Sequence, residues 1–219
     1  MIPDFTSDIN KQYAAEMRYR DIDRFMVTVH WWALGLLAVL TYLNAVVKIA
    51  AYYESPFSWR VISPREALTT VIIGLVITLI PAFLWGKLAN HYLWRILVAL
   101  TITAFSYLFV FVSGGSIEMH FIFFVIIALL VIYSDWRLGW FMLVAVALHH
   151  GILNYLAPTW VYYYGRNDVA VIAHAIPVLV LVIFTTILAR KNRDVIRDLV
   201  TIRTGLVNTL EEKERKGKK

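Results

Sequence analysis

Residues 114–137 read GGSIEMHFIFFVIIALLVIYSDWR. A glycine pair is followed by Glu118 and His120, and then no charged side chain occurs before Asp135. An apolar run this short is ambiguous by itself, but five others accompany it: Phe25 to Val47, Ala67 to Trp85, Tyr92 to Val112, Leu138 to Leu156 and Val169 to Leu188, with His120 to Ser134 as the fourth and shortest. A helix crossing ~30 Å of hydrocarbon needs roughly 20 apolar residues. Inside lipid every backbone amide must be satisfied within the segment or in a closed barrel, and no strand-length alternation is visible here, so the runs predict helices. The expected fold is all-α, an integral membrane bundle of six transmembrane helices.

Composition agrees. Of 219 residues, 60% are hydrophobic and 16% charged, far from the balance of a soluble domain. Cysteine is absent, which excludes disulfides, thiolate nucleophiles and cysteine-held zinc. The net charge of +6 reflects a membrane chain with basic cytoplasmic segments; nucleic acid is not an expected partner. The first 24 residues are polar and lack the apolar core of a cleavable signal peptide, so the first span is the expected insertion signal.

Basic residues set the expected orientation. Arg18, Arg20, Arg24, Lys87, Arg95, Arg137, Arg190, Lys191, Arg193 and Arg197 fall on one side, which places both termini in the cytoplasm of a bacterial inner membrane. Aromatic residues in the loops AYYESPFSWRVISP and APTWVYYYGRND read as interfacial belts. The organisation is then a cytoplasmic segment 1–24, a membrane domain 25–188 and a basic helix 189–219. That last segment holds ten basic and five acidic residues, and Val195, Leu199, Ile202 and Leu206 are spaced 4, 3 and 4 apart, the rhythm of a coiled coil or of an amphipathic helix on anionic lipid.

Ionisable groups within a span need a reason, since burying one costs on the order of 3 kcal/mol even on the lenient insertion scale. Of the six histidines, His91 lies in a polar turn and His30 near the start of the first span, where hydrogen bonding is the expected role. The others fall in one layer. His120 is five residues after Gly115, His149 and His150 precede Pro158 by nine and eight, and His174 follows Asp168 by six, so each sits on the order of 8–13 Å below the outer helix ends. Imidazoles from three helices at one depth are what a metal site requires. The candidate ligands are His120, His150, His174, Glu118 and His149, with Asn154, Tyr107 and Tyr155 as hydrogen-bonding support. His149 and His150 point ~100° apart, so one is expected to ligate and the other to support. Glu118 is also simply favoured by the helix dipole in a first turn. At the other membrane face, Tyr133, Asp135, Trp136 and Arg137 read as an interfacial anchor or a conformational latch. No HExxH, GxSxG or phosphate-loop motif occurs, and no enzymatic activity is expected.

The segment Gly114–Arg137, followed by AVALHHGILNY and AHAIPVLV, resembles the six-helix membrane input region of some bacterial chemoreceptors, histidine kinases and diguanylate cyclases, patterned GGxIExHFxxF, YxDWR, a histidine pair or Asp-His, and a later Glu-His-Ala or similar. The resemblance covers roughly Gly114 to Val178 and points to Gly114, Gly115, Glu118, His120, Phe121, Phe124, Tyr133, Asp135, Trp136, Arg137, His150 and His174. Two departures stand out. Ile122 occupies a position where many relatives carry a second histidine, and no output domain follows within the 219 residues, so the chain is expected to be a truncated module or the partner of a separate cytoplasmic signalling protein.

The expected function is a membrane sensory module, homodimeric and embedded in lipid, whose outer-half site takes zinc, copper or iron. Haem b between two histidines is the alternative cofactor. A small ion or proton transporter using the same polar layer and a haem-binding redox protein are the alternative functions.

Overall fold

A computed structural model describes the backbone of residues 5–48, 61–162 and 165–217, with side chains from residue 19 onward. Six α-helices are present among the described residues, and no strand: α1 (Phe5–Ala45), α2 (Pro64–Leu88), α3 (Tyr92–Val112), α4 (Ile117–Leu130), α5 (Trp136–Leu156) and α6 (Asp168–Gly217). Five of them are long and apolar enough to cross a membrane, which marks the chain as a membrane protein. The exception is the fourth. With the 3-10 turn Val131–Tyr133 that continues it, α4 runs from Ile117 to Tyr133, about 25 Å of helix against ~30 Å of hydrocarbon.

Two boundaries differ from the sequence reading. α1 begins at Phe5, some 20 residues before the expected span, because residues 5–34 contain neither glycine nor proline and nothing stops the helix at the membrane edge. α6 is one helix of 50 residues, ~75 Å long, that carries the sixth span through the basic segment without a break. The other boundaries obey local chemistry. Ser63 and Glu66 form a reciprocal capping box at α2, with Pro64 in the first turn where its missing N–H costs nothing. His91 caps α3 by accepting from the Leu93 amide. Most of the loop 51–64, with its aromatic residues, lies outside the described residues, as do Tyr163 and Tyr164.

α3 is the hub. Trp94, Val98, Ala99, Ile102, Phe105 and Phe109 are buried among α1, α2, α4 and α5. Gly74 of α2 admits Leu37 and Phe105 so closely that an added Cβ would lie 2.8 Å from the Leu37 side chain. Asn44 at the end of α1 donates to the Val112 carbonyl at the end of α3, 2.6 Å away, and fixes those two ends together. His30 is the hydrogen-bonding residue expected: its Nδ1–H donates to Met26 O and its Nε2 lies 2.8 Å from the Thr101 hydroxyl.

Candidate functional site: three histidines between α4, α5 and α6

The glycine pair builds the entrance to α4. Gly114 and Gly115 have φ of 70° and 79°, left-handed values that end α3, and the Gly115 N–H returns to Val110 O. A Cβ on Gly115 would stand 2.6 Å from the Val161 backbone, so only glycine lets the α5–α6 connection approach. That approach brings Tyr162, fully buried, against His120. Ser116 then caps α4.

His120, His150 and His174 meet. Their ring centres are 5.3 Å apart for His120–His150, 5.2 Å for His120–His174 and 5.8 Å for His150–His174. Tyr162 lies parallel to the His120 ring at 5.9 Å and 5.6 Å from that of His174. Each of the three histidines is held the same way. Nδ1 is 2.8 Å from Ser116 O for His120, 2.9 Å from Val146 O for His150 and 2.7 Å from Ala170 O for His174. A carbonyl can only accept, so each Nδ1 carries the proton, and in a neutral imidazole each Nε2 is then a lone pair. The Nε2 atoms of His120 and His150 are buried with no hydrogen-bond partner. Three lone pairs cannot satisfy one another, because none brings a proton.

The spacing has a chemical meaning. With metal–nitrogen bonds of about 2.1 Å and tetrahedral angles, two ligating imidazoles keep their ring centres about 5.2 Å apart. A backbone carbonyl on the far nitrogen is also the usual support for a metal-bound histidine. Among the described residues no group of three or more His, Asp or Glu side chains is placed so that it could hold a metal ion. What the histidines form is a triangle of rings, two of its sides close to that separation and the third, His150–His174, longer.

The remaining candidates stand elsewhere. Glu118 is exposed on the opposite side of α4, since two residues along a helix turn the side chain by ~200°. His149 lies outside the triangle: its ring stacks on Tyr107 at 4.0 Å with 5° between planes, and its Nε2 is buried without a partner. Tyr107 donates to Ala145 O and supports His149 rather than the triangle. Asn154 does not reach the histidines. It donates to Asp168 and accepts from the Asn167 amide, tying the end of α5 to the start of α6. Tyr155 is exposed, under the Arg166 guanidinium. Tyr162 and the three carbonyls are the supporting groups that the sequence reading did not name; backbone carbonyls leave no trace in residue identity.

At the other end of the bundle, Asp135 is fully buried at the α4–α5 junction and caps α5. Arg137 grips both its oxygens at 2.9 Å, Arg95 of α3 lies 3.5 Å away, and Arg193 of α6 lies 3.8 Å away while also donating to Ser134 O. Burial alone would push the Asp135 carboxyl up, but the bonds from Arg137 and the charge of Arg193 hold it below the usual carboxylate range. Next to it, buried Tyr133 donates to Asp23 of α1, which also accepts from the Asn90 amide. Trp136 sits under the Arg190 guanidinium. The expected Asp135–Arg137 pair is therefore one arm of a larger clasp that joins α3, α5 and α6.

No family model matches the chain, and no curated protein or solved structure matches it at a significant level.

Proposed function

We propose that the chain is a membrane sensory module in which His120, His150 and His174 hold a metal ion and α6 carries the state of that site along its length. One observation bears most of the weight: three imidazoles from three helices meet, each with its proton committed to its own helix, and the remaining lone pairs of His120 and His150 are buried without a partner. A cation resolves that arrangement, and zinc, copper or iron suits an all-imidazole set. Haem fits less well. A bis-histidine haem needs its ligands on opposite faces of a flat macrocycle, and a third ring equally close to both leaves no plane for it.

In this reading all six helices cross a bacterial inner membrane with both termini on the basic, cytoplasmic side. The resemblance of Gly114 to Val178 to sensory input regions points the same way. α6 is the physical link: it supplies His174, contains Pro177 one turn later, touches the Asp135 clasp through Arg193 and continues as a helix whose Val195, Leu199, Ile202 and Leu206 are exposed. Proline removes the helical bond to the Ala173 carbonyl and gives α6 a place to bend. The apolar stripe pairs two copies in parallel and meets a cytoplasmic signalling partner or output domain. An ion path is less well supported, since α4 and α5 bury only glycine and apolar side chains between the histidine layer and Asp135, among them Phe123, Ile127, Leu130, Met142 and Val146.

Elemental analysis and an absorption spectrum of the protein purified in mild detergent without chelator test the proposal. Stoichiometric copper, iron or zinc is expected, lost in His120→Ala, His150→Ala and His174→Ala. A Soret band would instead establish haem, and the absence of any metal after supplementation would sink the site.

A further inference from the structure

Resting on the metal reading above, we infer that the ligand this centre admits is a small uncharged gas molecule of the dioxygen, nitric oxide and carbon monoxide class, reaching an open coordination position from the lipid side. Three imidazoles supply three ligands, and a four-coordinate ion then keeps one position for something else. A cavity of about 260 Å³ between α4, α5 and α6 adjoins all three rings. Apart from the histidines, every side chain lining it is apolar. A hydrated anion entering here would shed its water and meet no hydrogen-bond donor, whereas a diatomic gas loses almost nothing.

The position of the mouth argues the same way. Phe121, Ala173 and Pro177 line the cavity and are also exposed on the outside of the bundle, so it opens on the apolar surface that faces lipid rather than at a polar helix end. Hydrocarbon dissolves diatomic gases and excludes anions. Pro177 reinforces the selection: it has no N–H to offer an anion and leaves the Ala173 carbonyl, an acceptor, without its helical donor. A lipid acyl chain would suit the walls, but it brings no atom able to complete a coordination sphere. The inference also narrows the metal to copper(I) or iron(II), because zinc(II) does not bind these gases. Binding is reversible ligation with no bond broken in the gas.

Carbon monoxide is the probe. The wild-type chain in nanodiscs, its metal content measured, is reduced with dithionite, exposed to carbon monoxide and followed by infrared difference spectroscopy. A C–O stretching band is expected, along with its loss or marked slowing in Ala173→Phe, which narrows the mouth from an exposed position and keeps the metal. Phe124→Ala, which widens the cavity, is expected to speed uptake. A copper- or iron-loaded protein without a band overturns the gas inference and leaves the metal site standing, as does a protein that holds only zinc, and a band indifferent to both variants overturns the path from the lipid side. A protein that holds no metal overturns both.

Discussion

The two ends of the bundle solve the same problem in opposite ways. Around Asp135, one buried carboxylate meets three guanidiniums from three segments, and its Tyr133–Asp23 neighbour is likewise paired within the chain. Around His120, three imidazoles meet one another, and the second nitrogens of His120 and His150 are buried with nothing in the chain to bond. Buried polar groups without partners are rare in folded proteins because each one costs stability. The Asp135 end has orphans of its own, Arg95 Nε and Asn90 Oδ1 among them, but its carboxylate is met by guanidiniums and so ties helices together. At the histidine end the orphans are the nitrogens of the candidate site itself, and the proposed ion is what would meet them.

Breaking the carboxylate end gives the largest expected loss. Asp135→Ala leaves Arg95, Arg137 and Arg193 without their shared anion, and because Arg137 and Arg193 are about half exposed the cost is about 3 kcal/mol, the low end for breaking a buried ion pair. Thermal unfolding in detergent should show this, while metal content per folded chain stays that of wild type. His150→Ala should do the converse. It removes an unpartnered Nε2 together with the Nδ1–H bond to Val146 O and some buried volume, so metal-free variant and metal-free wild type should differ little, yet the gain in stability on adding metal, about 2.7 kcal/mol at a hundredfold excess over the dissociation constant, should vanish.

Acid separates the ends further. Because its arginines hold the Asp135 carboxyl below the usual range, the stabilisation is complete above the ordinary carboxylate value and is lost only as pH falls through the lowered one. Protons also compete with metal for imidazole nitrogen. Lowering pH stepwise from about 7.5 should therefore release the metal before the fold is lost. Simultaneous loss of helix signal and metal would contradict the comparison.

Depth was legible in the sequence, and azimuth only partly so. Pro158, Asp168 and Gly115 mark helix ends, and counting from them places His120, His150 and His174 at one level, where the structure brings them together. The same counting places Glu118 two residues from His120 and hence across the helix, a fact available before any coordinates. Which of His149 and His150 turns inward depends on how α5 rotates against α3 and α6, and that is set by Gly139 meeting Thr185 and by Tyr107 meeting His149. Tyr162 was hidden in a run of aromatics that reads equally well as an interfacial belt, and Arg95 and Arg193 lie 40 and 58 residues from Asp135, beyond any local motif. The start of α1 was obscured because polarity marks where lipid ends, while a helix stops only where its backbone is given a reason to stop.

Two smaller effects sharpen the histidine end. Asn154→Leu frees the start of α6 from the end of α5, and since α6 aims His174, metal affinity should fall about tenfold with little change in the metal-free protein, measured by competition with a chelator of known affinity. Glu118→Gln should change least. The carboxylate is exposed on the far side of α4, and its interaction with the helix dipole is worth roughly 0.3–1 kcal/mol of local stability. Metal affinity should match wild type within error. A tenfold loss would mean that α4 rotates to bring Glu118 inward when the ion binds, and the three histidines would then be an incomplete description of the site.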